Sequence, residues 1–327
     1  MIFKKEKIYK SINLISGHNI KLPEKTIRKS IKITKEDIFF LKKNRIEEIY
    51  VAILDKNDIH EDIAAGKIVK NIIGKNVYFK KAQNGRADFY SKINGLLNFS
   101  TINLTKINSS FDDLAVCSLK KYSVIKKNQL LGNVKILPYA MTKAKLNKIL
   151  KIKQFKNLFE INPVTIKKVD LVITQQLFEN NKNMNKIKQS LTERLKSFGL
   201  KIGHSKIINH DVSDLVSYLK TKAISNTDLL LIYGSTSIAD TNDVIPFGIR
   251  KAKGNIIAAG IPSDPGNLML IAKLNNTIIL GVPGCAKSLQ KNGFDLILEQ
   301  ICHGIEISKK SVAEISNGGL HKNLISK

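Results

Sequence analysis

Over residues 1–150 the apolar positions come in short stretches broken by polar and turn-forming groups. Thr34 is placed to cap a helix, with Asp37 as the acid three residues on, close to the capping-box pattern. Ile38, Leu41 and, after a basic stretch, Ile46 give that helix an apolar side. Residues 49–54 read as a short buried strand. A second helix is predicted from near Asp58 or His60, carrying Ile63, Ala64, Ile68, Ile72 and Ile73 and stopping at Gly74. Turns are predicted at Asn84-Gly85-Arg86-Ala87 and at Asn94-Gly95. Residues 122–137 predict a β-rich close with a turn at Lys126-Lys127-Asn128. Pro138 and Pro163 bracket a lysine-rich helical stretch, and residues 151–165 read as a connector.

Beyond the connector the pattern becomes regular. Apolar runs at 169–174 and 228–233 predict buried strands, and further strands are predicted at 201–208, 255–261 and 276–282. Helical spacing returns between them. Ile187, Leu191, Leu195 and Phe198 mark a helix over 184–198 that Gly199 stops. Asp211 caps a helix that carries Leu215, Val216 and Leu219. Two more are predicted over 244–252 and 293–302. Strands apolar on both faces, alternating with helices, predict a parallel sheet covered on both sides. The expectation is an α/β chain. Residues 166–327 form a doubly wound, mostly parallel sheet, and the connector at 151–165 joins it to a mixed α+β region over 1–150, made of one or two small subdomains.

Composition excludes several classes. The 327 residues are 43% hydrophobic and 25% charged, which supplies enough apolar surface to offset the ordering entropy of folding. Three cysteines without CxxC spacing argue against a disulfide framework and a structural zinc site. Lysines run through residues 1–15 and no signal-peptide core forms there, nor does any apolar run reach the length of a membrane span. A cytoplasmic protein without a membrane partner is expected. The 54 Lys and Arg against 27 Asp and Glu leave a formal charge of +27. Lysines neutralise nucleic-acid phosphates. Yet Arg28, Arg45, Arg86, Arg194 and Arg250 are the only arginines, the lysines are spread from end to end, and aromatics make up 6% with no tryptophan. Base reading and base stacking are both poorly supplied. A nucleic-acid partner is therefore not expected, while the charge helps to attract an anionic small molecule.

Parallel sheets bind ligands in loops beyond the carboxyl ends of their strands. Three loops of this kind are chemically unusual. The first is Gly234-Ser235-Thr236-Ser237-Ile238-Ala239-Asp240-Thr241-Asn242-Asp243. Its glycine permits close backbone approach, its hydroxyls suit a phosphate or oxyanion, and its two carboxylates suit a divalent cation such as Mg²⁺. Asp243 reads as the cap of the following helix, whereas Asp240 has no such structural duty. The second is Gly260-Ile261-Pro262-Ser263-Asp264-Pro265-Gly266-Asn267, a rigid loop holding Ser263, Asp264 and Asn267. The third is Gly281-Val282-Pro283-Gly284-Cys285-Ala286-Lys287-Ser288. Its Cys285 is a nucleophile or, more simply, a buried inert thiol, and Lys287 offers a point charge to a phosphate. His210 reads as a turn residue, and Cys302-His303 as packing with an imidazole at a helix end. No P-loop, GxGxxG or HExxH is present.

Residues 228–243 resemble the strand–glycine–hydroxyl–Asp segment of molybdopterin-binding domains, the MoaB/Mog type found in adenylyltransferases and MoeA-like molybdenum insertases. Gly234, Thr236, Ser237 and Asp240 match that segment, with Ser235 in place of a second glycine, and Gly281-Val282-Pro283-Gly284 is similar to the family's Gly-Leu-Pro-Gly turn. Residues 29–51 resemble the start of an insertase-like N-terminal region. Gly85-Arg86-Ala87, the 262–267 loop and Gly284-Cys285-Ala286-Lys287-Ser288 together resemble a bacterial subgroup some of whose members are fused to a nucleotidyltransferase. The resemblance implies a protein that binds molybdopterin or its adenylated form late in molybdenum-cofactor assembly. Gly234, Ser235, Thr236, Ser237, Ser263, Asp264, Gly266, Asn267, Gly284, Cys285, Lys287 and Ser288 would contact the pterin. Asp240 and Asp243 would be catalytic, and Asp240 with Asp264 would hold Mg²⁺. If catalytic, the protein would be a molybdenumtransferase acting on molybdate. The alternative is a carrier that hands the cofactor to a nucleotidyltransferase or an apo-molybdoenzyme. A remote alternative is a lysine-rich RNA-binding protein. The resemblance also implies a homo-oligomer.

Overall fold

The computed structural model describes residues 1–176, 181–221 and 226–321. The chain divides into two units, Met1–Asn162 and Pro163–Lys327, each with its own core.

The first unit is built from small antiparallel sheets. β1 (Ile2–Lys7), β5 (Glu48–Ile53) and β2 (Ile15–Ser16) pair in the order β1-β5-β2. β3 (Ile20–Lys21) pairs with β4 (Thr26–Ile27), and β6 (Asp58–His60) with β13 (Ala140–Thr142). β7 (Val77–Phe79), β8 (Arg86–Ser91), β10 (Leu114–Ser118) and β12 (Leu130–Ile136) form a sheet in the order β10-β12-β8-β7. β9 (Gly95–Asn98) lies between β11 (Val124–Ile125) and β14 (Glu160–Asn162). The helices are α1 (Lys35–Lys43), α2 (Glu61–Ile72), α3 (Thr101–Ser110) and α4 (Lys143–Lys151).

Local chemistry explains the boundaries. The Thr34 hydroxyl accepts from Asp37 N while the Asp37 carboxylate accepts from Thr34 N, a full capping box at the start of α1. Asn84 and Gly85 both take positive φ, which suits the tight turn into β8. Helix α2 buries Ala64, Ile68 and Ile72 along one i, i+4 row, with Ala65 and Val69 beside it. Ile63, expected on that face, lies one residue off it and is exposed. The connector expected over 151–165 belongs to the first unit up to Asn162. Phe155 and Phe159 are fully buried, Phe159 packs against Phe89 and Phe99, and β14 completes a sheet with β9.

The second unit is a six-stranded sheet between helices. Its strands are β15 (Val169–Gln175), β16 (Ile202–Asn209), β17 (Leu229–Tyr233), β18 (Asn255–Ala259), β19 (Leu270–Leu274) and β20 (Thr277–Val282), in the order β16-β15-β17-β20-β19-β18. β16, β15, β17 and β20 are mutually parallel, and β19 is antiparallel to both its neighbours. The sheet is thus mostly parallel. β19 escapes sequence reading because Asn275, in the left-handed region, turns it directly into β20. Helices α5 (Asn181–Lys196), α8 (Gly293–Cys302) and α9 (Lys309–Glu314) contribute to the core on one face, where Leu171, Leu229, Leu231 and Leu280 are buried. Helices α6 (Val212–Leu219) and α7 (Val244–Lys251) pack on the other, over Val172, Leu230, Ile232 and Ile279. Alternate residues of β17 serve alternate layers, and all five are buried. β16 departs from the expectation of a strand apolar on both faces. It is an outer strand, and most of its residues are exposed. Among the described residues no helix is long and apolar enough to cross a membrane.

Candidate functional site

Because β18 is antiparallel to an antiparallel neighbour, it runs with β20, and all five parallel strands end at one edge. The connections that follow β16, β17, β18 and β20 therefore all start there. The three loops singled out in the sequence are among them.

The first polar group built at this edge is His210. Its imidazole Nδ1 lies 2.7 Å from the Thr174 hydroxyl, at the end of β15, and its Nε2 lies 3.1 Å from the Thr236 hydroxyl, in the loop after β17. His210 N donates to Gln175 O at 2.8 Å, which fixes the ring's backbone. Thr174 is buried, His210 half-buried and Thr236 exposed, so the array runs from the core outward. Its members come from three consecutive parallel strand ends. Read from sequence as a turn residue, His210 is instead the junction of these strand ends. The signal that could have found it is a histidine and two threonines, each at or just beyond the end of a predicted strand. A neutral ring satisfies both hydroxyls in either tautomer, since each hydroxyl both donates and accepts. When Nε2 carries the proton it donates to Thr236 Oγ1, and the Thr236 hydroxyl hydrogen is left for an outside acceptor.

Gly234 sits beside this array. A Cβ there would come 2.8 Å from the Ile245 Cδ1 and the Thr236 carbonyl, so the turn tolerates only glycine without movement. Ser237 is exposed, and Ser235 is half-buried. Ile238 folds back over β20, where its Cδ1 occupies the space that a side chain at Gly281 would need. Asp240 is exposed, and its Oδ1 accepts from Asn242 N at 2.6 Å. Asp243 caps α7: Oδ1 accepts from Val244 N at 2.8 Å, and Oδ2 from Ala239 N at 3.4 Å. The expected catalytic pair thus differs in duty. Asp243 is engaged in holding its own loop, while Asp240 makes a local turn and faces water.

The second loop is a packing element for much of its length. The Ser263 hydroxyl is buried and donates to Gly319 O at 3.1 Å, with Pro265 O at 3.3 Å. Gly266 has φ +124°, and a Cβ there would lie 2.8 Å from Gly293 N. Gly293 N donates to Pro265 O, Asp264 N to Gly319 O, and His321 N to Asp264 O. These bonds tie the loop to the start of α8 and to the segment after α9. Ser263 and Gly266, expected to contact a ligand, are therefore placed in the interior of this joint. Asn267 is exposed.

The third loop is held from beneath by Arg194 of α5, which the sequence did not single out. Its guanidinium donates to Ala286 O at 3.0 Å, to Ser288 O at 2.6 Å and to the Ser190 hydroxyl. Its Nε pairs with Asp295 Oδ1 at 2.7 Å. The same Asp295 accepts from Asn292 N and completes the capping box of α8. Gly284 is exposed with open space around it, and Lys287 is partly exposed. Burial pushes the Cys285 thiol up, which disfavours the thiolate and fits the inert reading of that residue. Cys302 is buried, its thiol pushed up to about 12 by burial. His303 is buried too, and its Nδ1 meets Glu299 O at 2.7 Å.

Among the described residues no three His, Cys, Asp or Glu side chains come together as a metal site.

No family model matches the chain, and no curated protein matches it. Among solved structures it is similar to the molybdopterin biosynthesis MoeA protein from Pyrococcus horikosii, at 11% identity and a TM-score of 0.33. The alignment covers 94% of this chain and 76% of that one. A superposition that loose does not establish a shared fold.

Proposed function

We propose that the second unit binds a phosphorylated pterin of the molybdopterin type, or its adenylated form, at the carboxyl edge of its sheet, in a late step of molybdenum-cofactor assembly. The observation that carries this reading is the Thr236 hydroxyl, exposed in the loop after the central strand β17 and held by His210. With Nε2–H donating to Thr236, the hydroxyl hydrogen is directed to an acceptor, and a phosphate oxygen is the acceptor that this basic chain attracts. Gly234 lets backbone approach the same oxygens, and Ser237 adds a further hydroxyl. The resemblance of residues 228–243 to molybdopterin-binding domains supports the choice of pterin among phosphorylated ligands.

Asp240 is the residue of this loop on which turnover would rest, since Asp243 is engaged as a cap. Mg²⁺ would enter this site together with the phosphate, keeping water for much of its shell, and Asp240 would be the carboxylate that holds it.

Two variants test the reading. Thr236→Val keeps the shape of the side chain and removes the hydroxyl. It is expected to weaken binding of molybdopterin about tenfold, measured by fluorescence titration under anaerobic conditions. Asp240→Ala is expected to leave binding within about twofold and to abolish turnover of adenylated pterin with molybdate and Mg²⁺. A wild-type protein that binds but never turns over is a carrier. Wild-type protein that fails to bind the pterin refutes both forms.

A further inference from the structure

The first unit holds a cavity of about 430 Å³ with an uncommon lining. One wall is the β3–β4 ladder. Lys21 and Thr26 are cross-strand partners there and share a face, and Lys29 N donates to Asn19 Oδ1 at 2.8 Å to close the ladder's open end. Arg28 and Lys29 continue the same wall. The rest of the lining is Asn84, in the left-handed region before Gly85, with Lys135 of β12. The Lys135 ammonium donates to Asn84 O and lies 3.5 Å from Oε2 of the buried Glu61. That part of the lining is therefore fixed from behind.

Four cationic side chains line this one cavity, and no carboxylate does. Only Lys135 has an ion-pair partner: among the described residues Lys21, Arg28 and Lys29 pair with no carboxylate. Lys29 has its ammonium 4.9 Å over the Tyr139 ring, which holds the charge in place without neutralising it. Like charges gathered this closely repel one another, and a multivalent anion relieves that repulsion. Arg28 offers a planar fork that matches two oxygens of a phosphate, the lysines offer point charges, and the two asparagines and Thr26 offer neutral hydrogen bonds.

We propose that this cavity is a binding site for the diphosphate group of a small ligand. The three cations without a carboxylate partner, Lys21, Arg28 and Lys29, fit a multivalent anion better than a monoanion. The volume is that of a small-molecule pocket. The lining contains no aromatic ring, so it offers no stacking platform and disfavours single-stranded RNA. The site lies wholly within the first unit and does not rest on the pterin reading of the second.

Isothermal titration of the full chain with inorganic pyrophosphate, at about 0.15 M salt, tests the proposal. Wild-type protein is expected to bind one equivalent. The Lys21→Gln/Arg28→Gln variant is expected to bind at least about tenfold more weakly, while the charge-matched Lys106→Gln/Lys148→Gln control on α3 and α4 matches wild type. All four side chains are exposed, so the variants should fold, which their thermal midpoints verify. A parallel titration with ADP separates the sources: tighter binding than pyrophosphate assigns the site to an organic diphosphate, and equal binding to free diphosphate. Absence of one-site binding by the wild type overturns the proposal. So does equal weakening in the control, or displacement of pyrophosphate by an oligouridylate that the first variant binds less well.

Discussion

His303 shows what a single buried side chain contributes. It closes the C-terminal end of α8, nearly inaccessible to water, with its ring edge against Phe198 and its Nδ1 on the Glu299 carbonyl. Burial lowers its pKa, and the bond to Glu299 only partly opposes that shift. The folded-state value thus lies below the unfolded one, about 6.5. The stability this residue contributes is full above that pH and is lost as pH falls through the folded value. We expect the urea midpoint of the second unit to fall on acidification below about pH 6.5, and His303→Gln to flatten that fall. A variant with the same pH profile as wild type would show that another group is responsible. At the same scale the sequence was informative about caps and poor about junctions. Thr34, Asp211 and Asp243 were legible as caps because capping is local, satisfied within three or four residues. His210 and Arg194 were not, because their partners, Ser190 apart, lie from 26 to 101 residues away.

Among the elements, the loops at the sheet edge are held by two different devices. The loop after β17 is placed by close contact of Ile238 with Gly281 on the next strand. A Cβ at Gly281 would come 2.6 Å from Ile238 Cδ1 and 2.9 Å from Leu270 Cβ. Gly281→Val is therefore expected to cost about 1–3 kcal/mol in denaturant titrations and to displace the hydroxyl-bearing loop, so that pterin affinity falls with stability. Unchanged affinity in a folded Gly281→Val protein would separate that loop from the ligand. The loop after β20 is held instead by Arg194. Arg194→Met leaves Asp295 without its charge partner and Ser288 O without its donor, while Ala286 O keeps the Ser190 hydroxyl, and a loss of about 3–5 kcal/mol is expected. A loss below about 1 kcal/mol would mean that solvent replaces those bonds. Element types were legible wherever the apolar pattern was long, as in β15, β17 and α8. They were hidden where a strand was set by pairing alone, as in β19, or where a connector was held by a few aromatic residues, as at Phe155 and Phe159.

Across the whole molecule, the arrangement of charge matters more than its total. An even spread of lysines in sequence gave no hint of a site, yet folding brings Lys21, Arg28, Lys29 and Lys135 to line one cavity. That gathering is invisible to any short window along the chain, because Lys135 lies more than a hundred residues from the other three cations. The opposite holds for the second unit. Its mostly parallel sheet followed from the alternation of apolar runs and helical spacing, and the rule that ligands meet the carboxyl edge of such a sheet led to the three loops. The structure places all three at that edge, turns much of the 260–267 loop inward, and leaves Thr236, Ser237 and Asp240 of the 234–243 loop exposed.

The central claim is that this edge holds a phosphorylated pterin. Protein purified from a cofactor-producing host, denatured and oxidised, should release a fluorescent pterin in near-stoichiometric amount, and the Thr236→Val protein prepared alongside should release far less. Wild-type protein that yields no pterin fluorescence, or a Thr236→Val protein that yields as much as the wild type, would contradict it.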